Sequence, residues 1–171
     1  MEQRVVVAFP RIQSVHEWAE VLSVRDRLDP LARKVPAHVT LVFPFESAMS
    51  DFELETHLRE LVAQLPRFSV VLQGITAYEN EYLFLNIRRG NDEVMQLHDV
   101  LYSGALAMHH VRRHTFVPHV TVGRVRSEEI SEALEATAGV NRPIKANIEA
   151  IAVYAAQGDG VRPVLFEIEL P

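Results

Sequence analysis

Two short segments of this chain could carry proton-transfer chemistry: Pro36-Ala37-His38-Val39-Thr40-Leu41 and Pro118-His119-Val120-Thr121-Val122. Each holds a histidine followed two positions later by a threonine. In an extended strand, residues i and i+2 point to one face. His38 and Thr40 therefore project together, with Val39 and Leu41 turned to the opposite, core-facing side. His119 and Thr121 pair in the same way over Val120 and Val122. Imidazole titrates at about 6.5, so of two imidazoles one can be neutral and the other protonated near neutral pH. Such a pair is a general base and a general acid. Two hydroxyls beside them can hold the non-bridging oxygens of a phosphate for in-line displacement. The chemistry this layout serves is phosphodiester transfer or hydrolysis without a metal. One His-x-Thr on a strand is ordinary structural sequence; two copies, each preceded by Pro at matching points of the chain, are harder to attribute to packing.

The matching points are set by the surrounding elements. Arg4–Phe9 reads as a buried strand, and Ser14 with Glu17 has capping-box spacing ahead of an amphipathic helix over Val15–Leu28. His38–Phe43 is a short strand stopped by Pro44. Ser50 and Glu53 repeat the capping spacing before a helix to about Gln64. Phe68–Thr76 and Tyr82–Arg88 form strands around an AYENE hairpin turn, and Asn91 caps a long helix to about Met108. Phe116–Val125 is a strand, Glu128–Thr137 a helix, and Lys145–Ala155 and Pro163–Leu170 two final strands around the turn residues GDG. The order is strand, helix, strand, helix, strand, given twice with one strand added. Arg4 to Tyr82, Asp51 to Glu128 and His38 to His119 are separated by 78, 77 and 81 residues. This predicts an α+β domain over 1–171 built as a duplicated unit, with halves of roughly 1–78 and 79–171. Packed about a pseudo-twofold axis, the two His-x-Thr pairs would face each other across one cleft.

Composition narrows the partners. The chain has 171 residues, 17 basic against 23 acidic side chains for a net charge of −6, and no cysteine. Disulfides, thiol catalysis and Cys-based metal sites are excluded. No signal peptide or membrane span is evident, and a cytoplasmic monomer is the expectation. A net acidic chain cannot cover long duplex, because that needs a broad basic surface. Yet between Asp99 and Glu128 there is no carboxylate, while Arg112, Arg113, Arg124, Arg126 and four histidines (His109, His110, His114, His119) fall there. Such a patch suits a small anion or a nucleic-acid end.

The segments Pro36-Ala37-His38-Val39-Thr40-Leu41-Val42-Phe43-Pro44 and His119-Val120-Thr121-Val122-Gly123-Arg124 resemble the paired motifs of the 2H phosphoesterases, which include 2′,5′-RNA-ligase-like proteins and cyclic nucleotide phosphodiesterases. The resemblance spans most of the chain. It implies a bilobal, pseudo-symmetric fold with two antiparallel-type sheets lining a central cleft and helices outside. It also implies metal-independent, cofactor-free chemistry on 2′,3′-cyclic phosphates or 2′–5′ linkages at an RNA terminus or small nucleotide. By motif position, His38 and His119 take the catalytic acid and base roles, in an order left open, and Thr40 and Thr121 the phosphate contacts. Ligase-like members often continue the first motif with Phe-Leu-Gly, whereas here Val42-Phe43-Pro44-Phe45 follows. Arg124 matches a basic position after the second motif; strand parity turns it away from the cleft unless Gly123 permits a bulge.

Other candidates carry less. The run His109-His110-Val111-Arg112-Arg113-His114 is a poor metal-ligand set and reads as a solvated helix end, from which Arg112 or Arg113 could steer an anion. Phe9, Tyr82 and Phe84 flank the motif strands, where one could stack on a base. His16, His57 and His98 sit in helical patterns as surface or satisfied side chains, and Trp18 reads as core. No Walker loop, dinucleotide fingerprint or HExxH run is present.

Overall fold

A computed structural model describes residues 2–110, 115–158 and 160–171. Nine strands are described: β1 (Gln3–Ala8), β2 (Arg11–Ile12), β3 (Val39–Glu46), β4 (Phe68–Tyr78), β5 (Tyr82–Arg89), β6 (His119–Arg124), β7 (Ile144–Ile148), β8 (Ala150–Ala155) and β9 (Val164–Glu169). Four α-helices accompany them: α1 (Val15–Leu28), α2 (Asp51–Val62), α3 (Asn91–Leu101) and α4 (Ile130–Thr137). The strands form one antiparallel sheet in the order β2-β7-β4-β5-β6-β3-β1-β8-β9. The fold is α+β. The two expected sheets are the two ends of this one sheet, and they join where β3 meets β6 through a single bridge, Val39 to Val120.

Each end of the sheet draws strands from both halves of the chain. The motif strand β3 is flanked by β1, then by β8 and β9; β6 is flanked by β5, then by β4 and β7. The segment expected as one strand over Lys145–Ala155 is therefore two. Its first part pairs with β4, and after Glu149 the chain continues as β8 against β1, near the other end of the sheet. A one-residue junction between strands so far apart in sheet order requires the sheet to curl until its ends approach. Arg11 of β2 closes that approach with ion pairs to Glu149 and Glu169.

One face of the sheet and all four helices form the main core. Val39, Leu41, Val120 and Val122 join it with Val21 and Val24 of α1, Leu54 and Leu58 of α2, Leu97 of α3 and Ala133 of α4. Burying such side chains contributes roughly 1.5–3 kcal/mol each before entropy is charged. His38, Thr40, His119 and Thr121 alternate with these residues and so lie on the other face.

Several local expectations are corrected. Pro44 does not stop β3, which runs to Glu46; the β1–β3 register slips between Val6–Val42 and Arg4–Phe45, so the ladder tolerates a residue with no N–H. Ser14 makes no cap on α1, and its hydroxyl instead accepts the Lys145 N–H at 3.0 Å, tying the helix start to β7. The capping box of Ser50 and Glu53 is present. Helix α3 is capped not by Asn91 but by Gly90 at φ 85, where a Cβ would meet Ser69 O at 2.7 Å. It ends at Leu101, because Ser103 is extended and Gly104 left-handed, and a separate 3₁₀ turn covers Gly104–His109. Strand β6 starts at His119 rather than Phe116, and a 3₁₀ turn over Ser127–Glu129 precedes α4. Among the described residues, no helix is long and apolar enough to cross a membrane.

Candidate active site

The Val39–Val120 bridge decides how the two motifs meet. In an antiparallel pair with that register, His38 stands opposite Thr121 and Thr40 opposite His119, all four on one face. The motifs thus lie side by side on neighbouring strands of a continuous sheet. Directly opposed side chains in such a pair have Cβ atoms about 4.5–5.5 Å apart, and diagonal ones about 7–8 Å. The two imidazoles are the diagonal pair, with the hydroxyls on the other diagonal. A phosphate over the centre of that square is within reach of all four.

Both rings are held alike. His38 Nδ1 lies 2.7 Å from Pro36 O, and His119 Nδ1 2.5 Å from Val117 O, in each case the carbonyl two residues earlier. A carbonyl only accepts, so Nδ1 carries the proton and the free lone pair of the neutral ring is on Nε2. Burial pushes both imidazoles down to about 4. The carbonyl contacts oppose that shift. Arg25 and Arg162 add to it at His38 while Asp29 resists it, and at His119 the charge of His38 adds to it. An anion between the rings would raise both values, because it favours the charged form.

Each motif is followed by a bulge that re-aims the next side chain. On β6, Thr121 pairs with Phe84 and Gly123 with Leu83, so Val122 and Gly123 both turn to the core. A Cβ on Gly123 would meet Leu83 Cδ1 at 3.0 Å and Leu28 Cβ at 3.1 Å, which is why glycine is needed there. Arg124 is thereby returned to the site face beside Tyr82, its guanidinium carbon 5.3 Å from that ring centre. It is paired there with Glu81 at 2.5 Å. On β3 the same slip falls between Thr40–Val7 and Val42–Val6, and it returns Phe43 to the site face. Phe43 follows His38 by the same number of residues as Arg124 follows His119, a repeat of spacing that could have disclosed it.

Beyond the bridge the two strands part. Pro118, which would face Leu41, has no N–H to give. The freed groups of β3 are taken up by α3 and the residue that follows it: His98 Nδ1 lies 2.7 Å from Leu41 O, and Phe43 N donates to Tyr102 Oη at 2.9 Å. His98 is itself stacked on Phe116, centroids 3.8 Å apart. This polar wedge keeps the strands apart below a cavity of about 380 Å³ that is lined by Thr40, Phe43, Tyr78, Phe84, His119 and Thr121, among others. His98 is thus a satisfied buried histidine, as its helical position suggested, and Trp18 is partly buried against the core.

Of the aromatic candidates, Phe84 stacks on His119 with centroids 3.4 Å apart, and Phe9 meets His38 edge-on at 6.0 Å. Tyr154 of β8 also contacts His38 edge-on, at 5.6 Å. No sequence signal marked Tyr154, and Tyr78, read as part of a turn, is the last residue of β4. His109 and His110 pack on Phe45 and Tyr102. The rest of that run, including Arg112, Arg113 and His114, lies outside the described residues.

The fold and the paired motifs are those of the 2H phosphoesterases. The chain belongs to the 2′-5′ RNA ligase superfamily, whose sequence profile matches residues 11–160. It is similar to a Bacillus licheniformis protein named "Putative phosphoesterase", 33% identical over 110 residues, a match spanning 63% of each chain. Escherichia coli LigT complexed with 3′-AMP superposes with a TM-score of 0.64 at 18% identity, covering 99% of this chain and 98% of that one. A Thermus thermophilus protein gives 0.67 at 17% identity, covering 98% and 97%. At these identities the structural likeness concerns the fold alone.

Proposed function

We propose that this protein is a metal-independent, cofactor-free phosphodiesterase that acts on 2′,3′-cyclic phosphates or 2′–5′ linkages at RNA or nucleotide ends. The observation that carries this reading is the square of His38, Thr40, His119 and Thr121, with both Nε2 atoms free. In ring opening, one neutral imidazole takes a proton from water as its oxygen bonds to phosphorus. The other, protonated, gives its proton to the ribose oxygen as the P–O bond breaks. The product is a monoester with a free hydroxyl, and the two rings have exchanged protonation states. Thr40 and Thr121 hold the non-bridging oxygens, and Arg124 would add charge only after leaving Glu81. That LigT was crystallised with 3′-AMP, NADP⁺ and ATP supports a nucleotide.

Purified protein assayed on nucleoside 2′,3′-cyclic phosphates tests this. Turnover with a bell-shaped pH profile, unchanged in EDTA, is expected. Activity lost to chelator and restored by zinc or manganese would overturn the metal-free mechanism. A second reading, a small non-RNA phosphodiester, is favoured by the net charge of −6. Equal or better turnover of such a compound would select it. Binding of RNA ends without any turnover would leave a non-catalytic module.

A further inference from the structure

The two motif strands match, but the charges around their rings do not. His119 is stacked on Phe84, and Phe84 on Tyr78 at 4.8 Å and 16°; the charge that bears on His119 is that of His38. His38 stands instead beside a second small core of Val5, Val7, Val35 and Tyr154, with Phe9 and Leu31 packed on it. Next to Leu31 is an ion pair that the proposed mechanism does not use. Arg25 Nε donates to Asp29 Oδ2 at 2.7 Å, and both side chains are only 4% exposed.

The pair grips one residue by both its backbone groups. Asp29 Oδ1 accepts the Leu31 N–H at 2.9 Å, and Arg25 Nη2 donates to Leu31 O at 3.4 Å. Leu31 O also accepts the N–H groups of Lys34 and Val35, at 3.0 and 3.1 Å. The residue after Val35 is Pro36, whose carbonyl fixes His38 Nδ1. Pro30 and Pro36 have no N–H with which to hold the segment. Its path from α1 to β3 therefore depends on Leu31 and on the Arg162 N–H, which donates to Lys34 O at 2.7 Å.

Apolar packing could hold such a turn equally well, because desolvating two charges offsets most of their attraction. What the pair adds is charge near a ring that changes charge. Arg25 and Arg162 oppose a proton on His38, and Asp29 favours it. Arg162 lies over Tyr154, its guanidinium carbon 5.9 Å from the ring centre, and Tyr154 meets His38 edge-on. Tyr154 itself stays neutral, its hydroxyl pushed up by burial. Among the described residues, two cations and one anion thus bear on His38 from this side, with His119 on the neighbouring strand.

We infer that Asp29 is a positioning residue for His38: with Arg25 it grips the turn that ends in the Pro36 carbonyl, and its charge offsets the Arg25 and Arg162 guanidiniums so that the His38 ring can take a proton during turnover. This rests on the proposed phosphodiesterase reading and deepens it, since the electrostatic support reaches His38 and has no counterpart at His119.

The test uses Asp29→Asn, which keeps an oxygen for the Leu31 N–H and loses only the charge, and Arg25→Gln/Asp29→Asn, which removes cation and anion together. Imidazole NMR titration follows both rings, and the pH profile of kcat/KM is measured on adenosine 2′,3′-cyclic phosphate. In Asp29→Asn the proton affinity of His38 should fall by roughly threefold to tenfold, as expected for loss of a neighbouring opposite charge, while His119 changes by much less. One limb of the pH profile should move to lower pH, and that limb is the one His38 governs. The double variant should return the His38 midpoint toward the wild-type value. A loss of turnover at every pH with both midpoints unmoved would reduce Asp29 to a structural residue and overturn the inference, as would equal movement of both rings or both limbs. If wild type turns over no cyclic phosphate, the reaction is wrong, and the NMR titration alone judges Asp29. Should Asp29→Asn fail to fold, Arg25→Gln and the double variant bury no unpaired guanidinium and carry the same comparison: the His38 midpoint must be lower in the double variant, and equal midpoints would overturn the inference.

Discussion

The β3 half and the β6 half of the sheet present the same chemistry in different settings. Each contributes a histidine whose Nδ1 is fixed by a carbonyl two residues back, a threonine, and a bulge that re-aims the residue after it. Behind His38 lies a capped apolar core with a buried ion pair; behind His119 lies an aromatic-lined cavity, with the exposed Arg124–Glu81 pair beyond Tyr82. On the proposed reading the two rings are an acid–base pair, which a reaction using one base and one acid could use in either order. The flanking strands differ: the cavity of about 380 Å³ lies on the His119 side. The residues after the bulges, Phe43 and Arg124, show the same division between an apolar and a charged contact.

The most demanding test of the shared chemistry is removal of each ring. His38→Ala and His119→Ala should each lower kcat/KM by roughly 10²–10⁴, the usual contribution of a positioned acid or base. A loss below about tenfold in either would show that the two halves do not share proton transfer.

The different settings should appear in stability. Asp29→Ala leaves Arg25 buried without its partner and should cost roughly 3–5 kcal/mol in urea unfolding. Glu81→Ala breaks a partly exposed pair and should cost less than about 1 kcal/mol. Equal costs would remove the distinction between a capped and an open half. Between these falls the wedge: Tyr102→Phe leaves Phe43 N–H without its partner and should cost about 1–3 kcal/mol.

The pH dependence treats the halves as equals. Both imidazoles titrate at about 4 in the folded protein, below the ordinary 6.5. Between those values the unfolded chain binds more protons, so stability falls as pH drops from 6.5 and the loss levels off below about 4. Thermal unfolding midpoints across that window should fall for wild type and flatten in a His38→Asn/His119→Asn variant. An unchanged slope in the double variant would assign the dependence to other groups.

Much of the site was legible in the chain because strand periodicity is local. The i, i+2 rule alone placed His38 with Thr40 and His119 with Thr121, and the equal spacing of the motifs suggested that they would meet. Gly123 permitted a bulge in the sequence; that a side chain there would meet Leu83 and Leu28 came from the structure. Partner choice was not legible. Lys145–Ala155 reads as one strand because both its parts are largely apolar, and nothing local says that the chain changes neighbours at Glu149. Pro44 misled for a related reason: a proline stops a strand only where its missing N–H would have been used.

The amino-acid sequence by itself determined the α+β alternation, the two histidine–threonine strands and the residue types that could handle a proton beside a phosphate, since these depend on side-chain chemistry and on backbone period. Only the tertiary structure decided that the motifs lie diagonally on adjacent strands, that Phe84 and Tyr78 extend His119 into a stack, and that one side is filled while the other is open. Those outcomes depend on which distant strands pair. That pairing minimises exposed apolar area over the whole chain, and no short window of residues carries it.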